Sequence, residues 1–132
     1  MRMHTSVSVY FTNELTNLQC DDLTRAYIVS IFTKFKATSD DYSKDSLTLK
    51  YAEAKYRYDF VSFQKVADYI FFCNSLFPEH LNNASIDYYY SIGQLSYYSC
   101  YKLINKQMKI YEDLADNFVY LSQSSGEIIR KS

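Results

Sequence analysis

The sequence predicts an all-α fold: a compact bundle of four to five helices around a buried central hairpin, at about 59–77 and 86–104. Three observations carry this. Apolar residues recur at spacings of three and four along most of the chain, the period of a helix with one buried face. Only 2 Gly and 1 Pro occur in 132 residues, too few for the many tight turns of sandwiches and barrels. From residue 66 to residue 101 there is no Lys or Arg, so two successive segments lack the cations that mark a solvated helix face. The length suits one domain, 1–132, with 1–12 and 124–132 expected as irregular arms.

The elements follow in order. Val7, Val9 and Phe11 alternate with polar or aromatic residues, while Leu15 and Leu18 are three apart, so a first helix is expected without a defined start. Asp21 or Asp22 caps the next helix and complements its dipole. Its apolar stripe is read as Leu23, Ala26, Tyr27, Ile31 and Phe35, ending near Ala37 before the turn-like run at 38–43. A weaker helix at 46–57 carries Leu47, Tyr51, Ala54 and Tyr58 on one side and Lys50, Glu53, Lys55 and Arg57 elsewhere. The segment 59–77 is apolar around most of its circumference, as expected of a helix covered on several sides, and Pro78 stops it. Ser85 is the expected cap of 86–104, where Ile86, Tyr90, Gly93, Tyr97, Cys100 and Ile104 repeat at helical spacing. Glycine in mid-helix is costly, so Gly93 should mark a close crossing filled by a Phe of the preceding helix. Asn105 is the exit. A last helix at 107–122 shows Tyr111, Leu114, Phe118 and Leu121, and the residues after it are expected to fray.

Composition narrows the function classes. The formal charge of -1, from 14 Lys and Arg against 15 Asp and Glu, gives no reason to expect a nucleic-acid or anionic-membrane partner. No apolar run approaches the ~20 residues of a membrane span, and the polar N-terminal stretch does not read as a secretory signal. Cys20, Cys73 and Cys100 are odd in number and without CxxC spacing, which fits a reducing, cytoplasmic setting. No cofactor or metal site is expected, since Cys73, His80 and Cys100 leave a zinc shell incomplete. Neither a GxSxG elbow nor an HExxH pair occurs, and no catalytic residue is assigned. Lys102, Lys106 and Lys109 are followed at once by acids and read as a mixed solvated surface.

The anomaly is aromatic: 15 Tyr and 9 Phe, with no Trp. Tyr88, Tyr89 and Tyr90 span nearly a full helical circumference, so all three cannot share one buried face. Tyr unites apolar contact with a donor tip and is enriched at binding hot spots. Tyr88, Tyr89, Tyr97, Tyr98, Tyr101 and His80 are therefore the candidate binding residues. They point to a non-enzymatic interaction protein, an adaptor, chaperone-like or regulatory module, that binds a protein partner or itself. Such a surface should form a contiguous exposed apolar patch. The alternative is a bundle pocket for a small flat or apolar ligand, conceivably an enzyme, which requires a cavity of ~300 Å³ between the central helices.

The stretch Asp68-x8-Phe77-Pro78-Glu79, followed by Asp87-Tyr88-Tyr89-x3-Gly93-x3-Tyr97, resembles a pattern in a family of small bacterial helical proteins of uncharacterised activity. The likeness is firmest over 60–100. It implies a bacterial, cytoplasmic, helical protein and brings no catalytic residues with it.

Overall fold

The computed structural model describes residues 2–37, 44–81 and 86–131, with the side chains of 2–6, 36, 37, 44–46, 80 and 81 set aside. The turn expected at 38–43 and the cap expected at Ser85 lie outside the described residues. All regular structure among the described residues is helical: α1 Arg2–Glu14, α2 Asp22–Ala37, α3 Lys44–Arg57, α4 Phe60–Leu76, a 3-10 turn Pro78–Leu81, α5 Ile86–Leu103, α6 Lys109–Asp116 and α7 Phe118–Lys131. The all-α class holds, with seven α-helices among the described residues in place of the four to five expected.

Both additions have a physical origin. The first helix, expected without a defined start, is α1 and runs back to Arg2 through most of the 1–12 expected as an irregular arm; its Phe11 packs its ring against Phe32 of α2 at 5.3 Å. The expected final helix is two helices broken at Asn117. The Asn117 backbone N–H donates to the Asp113 carbonyl at 3.0 Å and its side-chain amide donates there too, at 3.2 Å, local bonding of the kind that lets Asn interrupt a helix. Tyr111, Leu114, Phe118 and Leu121 are all buried, so the apolar spacing runs through the break and hides it. The tail expected to fray is instead the body of α7.

What holds α7 down is a row of small buried residues, Ser122, Ser125 and Gly126. A Cβ on Gly126 would overlap the Ser75 carbonyl of α4, so glycine permits the backbones to touch. Arg130 donates to that same carbonyl at 2.6 Å, and Asn74 donates to Ser122 Oγ at 2.7 Å. Gly93 likewise marks a close crossing, but the ring over it belongs to Phe118 of α7 and not to the preceding helix.

The central pair is as expected. From Val66 to Ser75 every residue of α4 is buried, and α5 buries Tyr89, Ile92, Gly93, Ser96, Tyr97 and Cys100. Asp59 caps α4 by accepting from Ser62 N at 3.2 Å and Ser62 Oγ at 2.7 Å, which holds its carboxyl below the usual range. The α2 stripe differs from expectation. Thr24, Ile28, Ile31 and Phe32 are buried, whereas Leu23 is 74% exposed and Ala26 also faces out.

Candidate functional site

The groove that carries our functional reading lies where α2 begins and α6 begins. Its walls are Leu23, Ala26 and Tyr27 on one side and Met108, Lys109 and Ile110 on the other, with Asp21, Asp22 and Asp113 on the rim and a volume near 860 Å³. The turn at 104–107 positions the second wall. Asn105 and Lys106 both take left-handed backbone, φ 56° and 61°, and the chain thereby reverses between α5 and α6. Met108 follows at 49% exposure. Leu23 and Met108 thus present apolar side chains to water beside three carboxylates.

Beneath the groove lies a polar hub that joins four helices. Asp68 of α4 is 3% exposed. Its Oδ1 accepts from Tyr97 Oη of α5 at 2.7 Å and from Tyr27 Oη of α2 at 2.9 Å, and its Oδ2 accepts from Lys34 Nζ of α2 at 3.2 Å. Gln64, one turn before Asp68, donates to Tyr27 Oη at 3.2 Å and to Tyr111 Oη of α6 at 3.0 Å. Burial pushes the Asp68 carboxyl above its ordinary range, with Lys34 and the two tyrosine hydroxyls working against it. Burial and the nearby Asp68 charge hold the Tyr27 and Tyr97 phenols well above the usual value. These hydroxyls stay protonated and donate. Every contact of the carboxylate named here is with the chain's own groups, so the hub acts as a clasp that fixes Tyr27, the residue it shares with the groove floor.

Sequence reasoning missed Asp68 as a site residue, although a signal was present. It is the lone acid within α4, a helix apolar around most of its girth, and a buried charge survives only if partnered. The groove was hidden because Leu23 matched helical spacing and was placed in the core.

Next to the groove, and sharing Asp21 and Asp113 with it, is a smaller cup of about 180 Å³ lined also by Gln19, Cys20, Thr24, Asn117, Tyr120 and Leu121. Burial raises the Cys20 thiol, Arg25 opposes this, and Asp21, Asp22 and Asp113 add to it. A third depression of about 220 Å³ between α3 and α4 is lined by Lys50, Glu53, Arg57, Ser62, Lys65 and Val66. None of the three is lined by α5, so none is the pocket expected between the central helices.

The tyrosines expected to form one surface are separated. Tyr89 and Tyr97 are buried on α5, Tyr97 with its hydroxyl on Asp68 of the hub, so neither is part of an exposed aromatic surface. Tyr88 and Tyr98 are exposed on the outer side of α5, and Tyr101 is half-buried and stacks on Tyr98 at 6.4 Å. The other exposed tyrosines among the described residues, Tyr10, Tyr56, Tyr58 and Tyr120, lie on α1, at α3 and on α7. His80 sits in the 3-10 turn, with its side chain outside the described residues. Cys73 and Cys100 are buried and in no disulfide, and no group of three or more metal-ligating side chains is assembled among the described residues. Among those residues no helix is long and apolar enough to cross a membrane.

A scan against protein-family models finds no match, and searches of curated proteins and of solved structures find none either.

Proposed function

We propose that the chain is a non-enzymatic interaction module whose contact site is the groove between α2 and α6, and whose partner is a protein segment with apolar residues flanked by basic ones. The observation that carries this reading is the pairing of exposed Leu23 and Met108 with Asp21, Asp22 and Asp113. Apolar side chains supply contact area. A carboxylate rim adds steering and selects basic partners. An amphipathic helix laid in an apolar groove is a recurrent recognition mode. The free thiols fit a cytoplasmic setting.

The hub contributes rigidity. With Tyr27 held by Asp68 and Gln64, the groove floor is set before binding, and little ordering cost remains to be met on docking. Tyr88 and Tyr98 stand exposed at separate turns of α5 and are assigned no role in this contact.

A displayed random-peptide library panned on the full chain tests the reading. Enriched peptides should combine apolar residues with Lys or Arg, lose affinity in Leu23→Asp and Met108→Asp, and weaken as salt rises. Enrichment of acidic or uncharged peptides, or binding indifferent to both substitutions, would refute it.

A further inference from the structure

Leu95 stands 52% exposed near the middle of α5, with Tyr88 at 40% before it and Tyr98 at 43% after it. Tyr88, Ser91, Leu95, Tyr98 and Lys102 are all exposed and follow at spacings of three, four, three and four. Together with the exposed Asp87 they share about 100° of the helix circumference. No residue between Asp87 and Lys102 is charged. The outer stripe of α5 is therefore uncharged over about 22 Å and closed by an acid at one end and a base at the other. By contrast α3 exposes Glu53, Lys55 and Arg57. The cation-free run that packs α4 into the core thus extends onto a face of α5 that the fold leaves in water.

We infer that this stripe seats a second copy of the chain, whose own α5 lies antiparallel across a two-fold axis. A two-fold contact joins a surface to itself, so each residue must suit the one it meets. One register satisfies the whole stripe. With the axis between Gln94 and Leu95, Asp87 comes level with Lys102 of the second copy, Ser91 with its Tyr98, and Tyr88 with its Tyr101. Acid meets base at both ends, and each large Tyr98 ring meets a small Ser91. A parallel pairing would instead set acid against acid and base against base, which repel. Lys102 Nζ stands over the Tyr98 ring at 5.7 Å and Tyr101 stacks on that ring at 6.4 Å, so this end of the stripe is ordered before pairing. One helix pair offers less than the ~1,200 Å² of a lasting complex, and the dimer is accordingly reversible. The stripe uses no residue of the groove between α2 and α6, and the inference is independent of that reading.

Sedimentation velocity of the full chain at protein concentrations up to about 1 mM reads the association. The mean mass of wild type should climb from one chain towards two. Leu95→Asp sets two carboxylates beside the axis and should hold the chain monomeric, with its urea midpoint unchanged. Asp87→Lys and Lys102→Glu should each weaken the dimer about tenfold, since like charges then meet at both ends. An equimolar mixture of these two variants should recover wild-type association. The double variant Asp87→Lys/Lys102→Glu should recover it too, which the antiparallel register alone allows. Both sites are exposed, so the charge exchange decides the matter even where Leu95→Asp disturbs folding. A wild type that stays monomeric, a dimer indifferent to Leu95→Asp, or charge variants that neither mixing nor combination restores would each overturn the inference. A dimer lost in Leu23→Asp and kept in Leu95→Asp would move the contact to the groove and overturn it as well.

Discussion

Asp68 and Phe71 stand three residues apart on α4, less than one turn, and meet opposite surroundings. Phe71 lies edge-on to Phe118 at 5.6 Å and near Phe32 at 6.4 Å. Its neighbour Phe72 stacks on Phe35 at 5.2 Å. This end is held by non-directional contact, and replacement by another apolar side chain of similar size disturbs it little. Asp68 instead takes directional bonds from two helices and sits beside Gln64, which adds a third. The dry end makes the bundle stable; the polar end makes it specific, and the groove sits over the polar end.

Unequal tolerance to substitution is the first consequence. Asp68→Ala leaves the Tyr27 and Tyr97 hydroxyls and the Lys34 ammonium without their acceptor, and should cost about 3–5 kcal/mol. Phe72→Leu at the dry end should cost no more than about 1.5 kcal/mol. Urea denaturation of the two variants compares them, and equal losses would erase the distinction.

The next largest effect is expected at Tyr97. Tyr97→Phe removes a single hydroxyl bonded to a charged acceptor, worth about 1.5–3 kcal/mol, whereas Tyr98→Phe on the outer side of the same helix should change the midpoint hardly at all. A comparable loss at both positions would mean that the hub contributes no more than any surface phenol.

A smaller effect concerns pH. The Asp68 carboxyl is raised in the folded state, so between its unfolded value, about 3.9, and its folded value the native chain binds the extra proton. Ionising Asp68 therefore lowers stability as pH rises through the folded value, and acidification through that window restores it. The groups facing it are Lys34, Tyr27 and Tyr97, with Cys100 and Tyr111 nearby; the three phenols and the thiol, all raised by burial, keep their protons across this range. Wild type should gain on Asp68→Asn as pH falls, at no more than about 1.4 kcal/mol per pH unit. Parallel stability curves for the two proteins would contradict the shift.

The same contrast explains what was legible in the sequence. Helical period and the cation-free run identified α4 and α5 because apolar burial writes itself into spacing. Periodicity placed Leu23 inside, where Thr24 is found, because a one-residue rotation of a stripe leaves its spacing unchanged. It could not see the Asn117 break, since the buried positions continue across it. Tyr89 and Tyr98 differ in exposure but not in residue type, so counting phenols could not sort core from surface. The Asp68 hub depends on side chains from four helices meeting, and no local pattern encodes that meeting.

Gly126 and Arg130 both converge on the Ser75 carbonyl across a separation of 51 to 55 residues. The terminal turn of α4 is therefore completed by a remote part of the sequence, while α4 and α5 are joined by a short connection. Loop closure favours the near pair over the distant one. Assembly should then begin with the α4–α5 pair and finish when α7 seats itself. A pulse-labelled refolding time course should show amides of α4 and α5 protected before those of α7.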